Sequence, residues 1–438
     1  MLINYNIVQK FSKRTVESVS KMKKILILTS LYLPNPSANG INTNYIVNEL
    51  KKRGHEVHCV SIKRENESSF EVIDGTHIYR ISPSFYSRIM SKEKDLKENF
   101  LRNLFFKACR ILRALKLGLL LYRFPDNDIL QNKKTYNLLK SLHEKEQYDC
   151  VIGVFKPFTN IAALRKFKKY NNNVVCGAYY LDLINSAKRP FLMPKWLYKQ
   201  LCYKGDINTF KELDYILLAK GGKSIYDGME YDSIREKIDY IDFPTFHELS
   251  SFSTKNENKQ STVLTYAGTL DSDYRNPEYL LACLKSIDQN IILNIYGKGN
   301  CDDILSKYND GESLKIINHG MVSQEVVRNS MLQTDFLVNI SNKIQNAVPS
   351  KIFEMFGTGK PIINLTFSKT DISREYFNKY PSVLNVETWK NIDSQLLDLQ
   401  EFLIREKGKK YNTLDIKRNF IENTPEFTVD IIERRINN

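Results

Sequence analysis

Cysteine, tryptophan and histidine are scarce in this chain, and so are long apolar runs. Seven cysteines stand among 438 residues, at 59, 109, 150, 176, 202, 283 and 301. They are odd in number and scattered, with no Cys-x-x-Cys pair and no Cys/His cluster. That pattern predicts reduced thiols and no structural zinc. No apolar run approaches the ~20 residues that cross a bilayer. One apolar run, Leu117 to Tyr122, is closed off by Lys116 and Arg123. Residues 1–21 carry Lys10, Lys13, Arg14 and Lys21 but no apolar signal-peptide core, so they read as an extension ahead of Met22. The first strand is not followed by GxGxxG, which disfavours NAD or FAD. RRM, KH and helix-turn-helix signatures are also missing, so no nucleic acid partner is expected.

What is present describes a globular protein. The chain is 42% hydrophobic and 26% charged, which excludes global disorder, and its length accommodates two or three domains. Lys and Arg number 64 against 50 Asp and Glu, for a net charge of +14. Such an excess selects anionic partners: phosphorylated substrates, an anionic membrane surface or nucleic acid.

The segment Asn346 to Leu365, NAVPSKIFEMFGTGKPIINL, organises the rest. A strand is predicted before it at 336–341 and another within it at 361–365. Helical character over 350–356 lies between them and is stopped by Gly357 and Gly359. This is a βαβ unit, which closes right-handed in a parallel sheet. Pro349 and Ser350 suit a helix start, where free N–H groups and a partial positive charge attract phosphate. Lys351 adds a full charge. Glu354 shares a helix face with Ser350 and Lys351 and can accept hydrogen bonds from ribose hydroxyls. Spacing alone is equally compatible with a capped surface helix carrying a Lys–Glu pair.

The chain before this unit alternates in the same way. Lys24 to Ser30 reads as a buried strand, residues 31–42 as a loop, Thr43 to Arg53 as an amphipathic helix, and Glu56 to Ile62 as a second strand. Asn39 and Gly40 would then lie at a strand's carboxyl end, where open α/β sheets bind ligands. Residues 84–145 read as mostly helical. Within 99–123, apolar residues recur at helical spacing with Arg102, Lys107, Arg110, Arg113 and Lys116 interleaved. Such a basic amphipathic helix can lie on an anionic membrane, with Arg110 and Arg113 among its lipid contacts, or can be an ordinary domain helix with a solvated basic face. Further strands are predicted at 148–155, 174–180, 214–219 and 237–242. Asp182 is either an acceptor-binding group or a cap. A polar stretch at 249–262 fits an interdomain linker. A second series of strands follows, at 263–267, 291–296 and 314–318, then the βαβ unit and an amphipathic tail helix at 426–436.

Five motifs in order carry a family resemblance: ILILTSLYLP…NG…ELKKRGHEV, YAGTL…YRNPEYLL, IYGKG, INHGMVS and PSKIFEMFGTGKPII. Over most of residues 22–436 the chain resembles bacterial glycosyltransferases of the GT-B fold, close to glycosyltransferase family 4. The resemblance implies an α/β architecture of two facing Rossmann-like domains with a cleft between them. An N-terminal acceptor domain would occupy 22–248 and a C-terminal nucleotide-sugar domain 263–414, with residues 415–438 returning to the first domain. It implies that Gly268 and Thr269 approach a donor diphosphate and that Arg275 helps clamp it. Gly297 and Gly299 would line the nucleotide pocket, and Met321 and Val322 would border the base. Ser350 and Lys351 would meet phosphate or sugar, Glu354 the ribose, and Gly40 would face the donor across the cleft.

The sequence also departs from that family. The first carboxylate of its Glu-x7-Glu pattern is Asn346 here, and the family's Arg after the first glycine is Thr269. Phe155 and Lys156 stand where a His is common. The implied reaction is sugar transfer from a nucleotide-diphosphate sugar, with UDP favoured, to a lipid-linked or saccharide hydroxyl, with retention. Arg275, Lys351 and Asn346 would serve the chemistry. Asp271-Ser272-Asp273 resembles a metal-binding Asp-x-Asp, but it follows a phosphate-type turn, and no metal or other cofactor is expected. A nucleotide-sugar epimerase or hydrolase on the same fold, and a non-catalytic basic binder of membranes or nucleic acid, remain as alternatives. The expected setting is capsule or O-antigen synthesis at the inner face of the cytoplasmic membrane.

Overall fold

Alternating apolar strands and amphipathic helices build two parallel sheets, each in its own unit. The structure is a computed structural model. It describes residues 21–94, 96–97, 99–120, 123–126, 128–181, 189, 193–249, 261–343 and 349–437. Asn346, Asp182, nearly all of the extension at 1–21 and most of the linker at 249–262 lie outside those residues.

The first unit comprises Met1–Asp242 and Glu426–Asn438. Its strands are β1 (Lys24–Leu28), β2 (Glu56–Ile62), β3 (Phe70–Ile73), β4 (Thr76–Ile81), β5 (Cys150–Phe155), β6 (Val175–Tyr180), β7 (Tyr215–Ala219) and β8 (Ile238–Ile241). They form one sheet in the order β3-β4-β2-β1-β5-β6-β7-β8. Every pair is parallel except β3 with β4, a hairpin turned at Asp74-Gly75. Central strands such as β5 are buried along their whole length, which is why they read as unbroken apolar runs.

The helix after β1 spans Ala38–Lys52 and starts about one turn earlier than its periodicity predicts. Ser37 caps it, its Oγ accepting from Gly40 N at 3.2 Å. Ile46, Val47 and Leu50 face the core.

The helix Pro425–Asn437 packs on the first unit through buried Val429 and Ile432. An ion cluster fixes its position. Arg53 reaches Asp430 at 2.6 Å, Glu433 at 2.7 Å and Glu49 at 2.9 Å, and donates to Glu426 O at 3.1 Å. Asp239 receives Arg434 and Arg435. Removing the Arg53 guanidinium leaves three carboxylates facing one another. Arg53→Ala should therefore destabilise the unit by about 2–3 kcal/mol, which urea denaturation would measure.

The second unit, Phe243–Pro425, holds β9 (Thr262–Ala267), β10 (Ile291–Tyr296), β11 (Leu314–Gly320), β12 (Phe336–Ile340), β13 (Ile362–Thr366) and β14 (Val383–Glu387). All pairs are parallel, in the order β11-β10-β9-β12-β13-β14. Asn339, Asn364 and Asn385 lie side by side in register across β12, β13 and β14. Their amides bond at 2.7 and 2.8 Å, a buried polar ladder that a one-residue slip would break.

Two boundaries differ from the compositional reading. Phe243–Leu249 packs with the second unit. Phe246 is buried among Ile352, Phe353 and Phe356, and its N–H donates to Asn423 O at 2.9 Å. Helix Thr413–Asn419 also stays in the second unit, through buried Ile416. Only the chain from Glu426 joins the first. A polar stretch marks where composition changes, whereas the boundary is set by which core the apolar anchors enter.

Candidate functional site

In the second unit the strand order reverses beside β9, whose neighbours β10 and β12 lead away in opposite directions. Open α/β sheets bind ligands at the carboxyl ends of strands beside such a reversal. The loops after β9, β10, β11 and β12 carry most of the residues that the sequence reading singled out.

Backbone contacts knit three of these loops together. Gly268 N donates to Tyr296 O at 2.9 Å, Leu270 N to Lys298 O at 3.0 Å, and Gly297 N to Gly320 O at 2.8 Å. Gly297 has φ +152°, and a Cβ there would run into Gly268 O. A Cβ on Gly299 would stand 2.5 Å from Leu270 O. Both glycines are thus required by the protein's own backbone, which places the strand ends in contact and shapes the floor of the site. Thr269 is exposed beside them. Tyr266 supports the turn from below, its hydroxyl donating to Thr269 O at 2.9 Å.

Two cationic groups stand in this unit, Arg275 near Tyr266 and Lys351 near Arg328. Arg275 follows a turn capped by Asp271, whose Oδ1 accepts from the N–H groups of Asp273 and Tyr274 at 2.9 and 3.0 Å. That engagement explains Asp271 as a turn residue. Burial raises the Tyr266 phenol to about 12, and the nearby Arg275 cation opposes the shift. Lys351 opens the helix Lys351–Phe356, anchored by Ile352, Phe353 and Phe356 in the core and by Thr245 Oγ1 donating to Ser350 O at 2.8 Å. Burial lowers the Lys351 pKa. Glu354, one turn on, opposes that shift, and Arg328 adds to it. The helix is only six residues long, so its dipole is small and Lys351 itself supplies most of the field.

Sequence reasoning missed two cations. Arg328, on the helix Gln324–Gln333, is close enough to act on Lys351. Lys343 follows β12, its backbone N–H donating to Tyr274 O at 3.0 Å, which ties the β12 loop to the Arg275 loop, while its ammonium lies over the Phe367 ring, 5.2 Å from the centroid. The available signal was a basic residue directly after a strand that borders the reversal. Met321 and Val322 are exposed at the end of β11, next to a stacked Tyr296–His319 pair with ring centroids 4.4 Å apart.

Gly40 is held closely by its own loop. It lies inside the first turn of its helix, buried, and a Cβ there would run into Leu31 O. Beside it, the Asn39 side-chain amide donates to Phe155 O at 3.0 Å.

Elsewhere in the first unit, Glu56, His58 and Glu146 converge at the amino ends of the strands, within reach of a common ion. Lys24 already sits between the carboxylates, 3.0 Å from Glu56 and 2.5 Å from Glu146. The cluster is neutralised internally, at the end of the sheet that α/β folds do not use for ligands.

No family model and no curated relative matches the sequence. Solved structures match along almost the whole chain. The lipopolysaccharide outer core galactosyltransferase WaaB, in its apo form, is 14% identical with a TM-score of 0.52, covering 94% of this chain and 99% of that one. HepE from Anabaena, in complex with UDP and glucose, is 10% identical with a TM-score of 0.52, covering 95% and 99%. The trehalose-6-phosphate synthase OtsA is 8% identical with a TM-score of 0.56, covering 94% and 99%. The fold is GT-B. Within this GT-B chain the Phe243–Pro425 half carries Arg275, Arg328, Lys343, Lys351 and Glu354, all in loops or helix starts near the reversal of strand order or on the helix beside it.

Proposed function

We propose that the chain is a glycosyltransferase. It would move a sugar from a nucleotide-diphosphate sugar, a UDP-sugar foremost, to a hydroxyl of a lipid-linked or saccharide acceptor. The observation that supports this reading is the reversal of strand order beside β9, with glycine-lined loops knitted together at the strand ends and Arg275, Lys351 and Arg328 in the same unit. A diphosphate suits such a floor, and Glu354 suits a ribose one helical turn away. In the transfer, the acceptor oxygen bonds to the anomeric carbon as the bond from that carbon to the diphosphate breaks. The electron pair passes to the diphosphate, and the hydroxyl proton follows it. Arg275 and Lys351 stabilise the departing charge without reorganising, so electrostatic preorganisation does the chemical work. Retention and independence from metal complete the proposal, with Asp271 engaged by its own turn. The setting is surface polysaccharide synthesis, capsule or O-antigen, at the cytoplasmic face of the membrane.

A thermal-shift panel of UDP, GDP, ADP and their sugars, with and without Mg²⁺, tests the donor site. A ligand at a hundred times its Kd stabilises the folded state by about 2.7 kcal/mol, which raises Tm by several degrees. One nucleoside diphosphate should do so regardless of Mg²⁺. Absence of any shift would count against the site. Donor consumption that needs no acceptor would replace transfer with hydrolysis or epimerisation.

A further inference from the structure

In a globular protein an amphipathic helix turns its apolar stripe to the core. The helix Phe100–Leu119 does the reverse. Of its twenty residues only Phe106 is buried. Leu101, Leu104, Phe105, Ile111, Leu112 and Leu115 are between 53% and 73% exposed. At 100° per residue these six fall within an arc of about 120°. Such a continuous outward strip differs from the scattered apolar side chains that any surface carries.

The charges sort themselves around this strip. Arg102, Arg110 and Arg113 project from the opposite side and are used by the protein. Arg102 donates to Leu96 O at 3.1 Å, Arg110 pairs with Glu93, and Arg113 stacks over Tyr86 at 4.3 Å. Lys107 and Lys116 fall just outside the two edges of the apolar arc, exposed and without a carboxylate partner among the described residues. The helix contains no acidic residue. None of the described helices is long and apolar enough to cross a membrane.

We infer that this helix docks the protein on an anionic lipid bilayer by lying flat in the interface. Its leucine and isoleucine face sinks among the acyl chains. Lys107 and Lys116 extend their stems along that face and bring their ammonium groups to the headgroup phosphates on either side. A lipid surface fits better than a protein groove, because it complements an apolar strip bordered on both edges by cations and by no anion. The arginines hold the helix to the residues before it and are not the lipid contacts that interleaved charges in the sequence suggest. This inference rests on the membrane setting proposed above, but not on the identity of the sugar donor.

Sedimentation of the full chain with vesicles, in the absence of nucleotide, is the test. Vesicles of phosphatidylcholine with about one-third phosphatidylglycerol should bind the protein, and pure phosphatidylcholine should bind it much less. Ile111→Asp with Leu115→Asp, both on the exposed face, should abolish binding while leaving circular dichroism and the nucleotide thermal shift unchanged. Lys107→Gln with Lys116→Gln should weaken binding about tenfold or more at low salt. Arg113→Gln should stay within about twofold. Wild-type sedimentation of the Ile111/Leu115 variant would overturn the inference. So would a wild-type dimer that this variant dissociates, since a second copy would then be the occupant. The nucleotide thermal shift reports the transferase reading separately, so either can fail alone.

Discussion

Lys351→Ala should lower kcat/KM for the nucleotide-sugar roughly a hundredfold to a thousandfold, the loss typical when one preorganised group facing transition-state charge is removed. The fold should survive. Lys351 is half-buried at the start of its helix, while fully buried Ile352, Phe353 and Phe356 anchor that helix. Most of the deficit should appear in kcat, because charge on the departing diphosphate is greatest in the transition state. Lys351→Arg keeps the charge and should recover much of the rate. Glu354→Ala should act differently and chiefly raise KM, by about tenfold or more, through lost hydrogen bonds to the ribose. Steady-state kinetics on purified variants separates the two effects. Wild-type parameters in both alanine variants would remove the assignment.

The second large effect concerns stability and lies in the first unit. Asp206 is buried in the core, with Oδ2 accepting from Tyr226 at 2.6 Å and Oδ1 without a partner among the described residues. Burial drives its pKa up to about 7 despite the Tyr226 hydrogen bond. The folded state therefore holds a proton between about pH 4 and 7 that the unfolded chain has released. Stability from this group is fully present below the unfolded pKa and is lost as pH rises through 7. A displacement of about three units corresponds to roughly 4 kcal/mol at full ionisation. Asp206→Asn keeps an acceptor for Tyr226 and never ionises. It should stabilise the protein by about 3 kcal/mol at pH 8 and by under about 1 kcal/mol at pH 4. Denaturant titrations at the two pH values measure the difference. A gain that did not depend on pH would show that Asp206 is ionised throughout.

Much of the fold was legible because its signals are local. The strands Glu56–Ile62 and Ile291–Tyr296 fall where periodicity places them. The Asp74-Gly75 hairpin carried an equally clear turn signal in a stretch that the reading passed over. The early start of the helix Ala38–Lys52 depends on Ser37 capping, which loses out to the two prolines when the sequence is read by composition. At the site, Lys351 and Glu354 were found because a charge at a helix start is a local pattern, and Arg275 was found only through the family resemblance. Arg328 was not, since only helix-on-sheet packing brings it to Lys351.

The sequence by itself determined two Rossmann-like alternations, the parallel pairing that follows from crossover helices, and the chemistry available at each strand end. Hydrophobic period and turn chemistry act over a few residues, and a reader needs nothing more distant to see them. Tertiary structure alone decided which backbone each glycine touches and which core Phe246 and Val429 enter. It also decided which face of Phe100–Leu119 looks outward. An amphipathic pattern defines two faces, but only the packing of the neighbouring chain, here through Arg110, Arg113 and Phe106, decides which of them is covered.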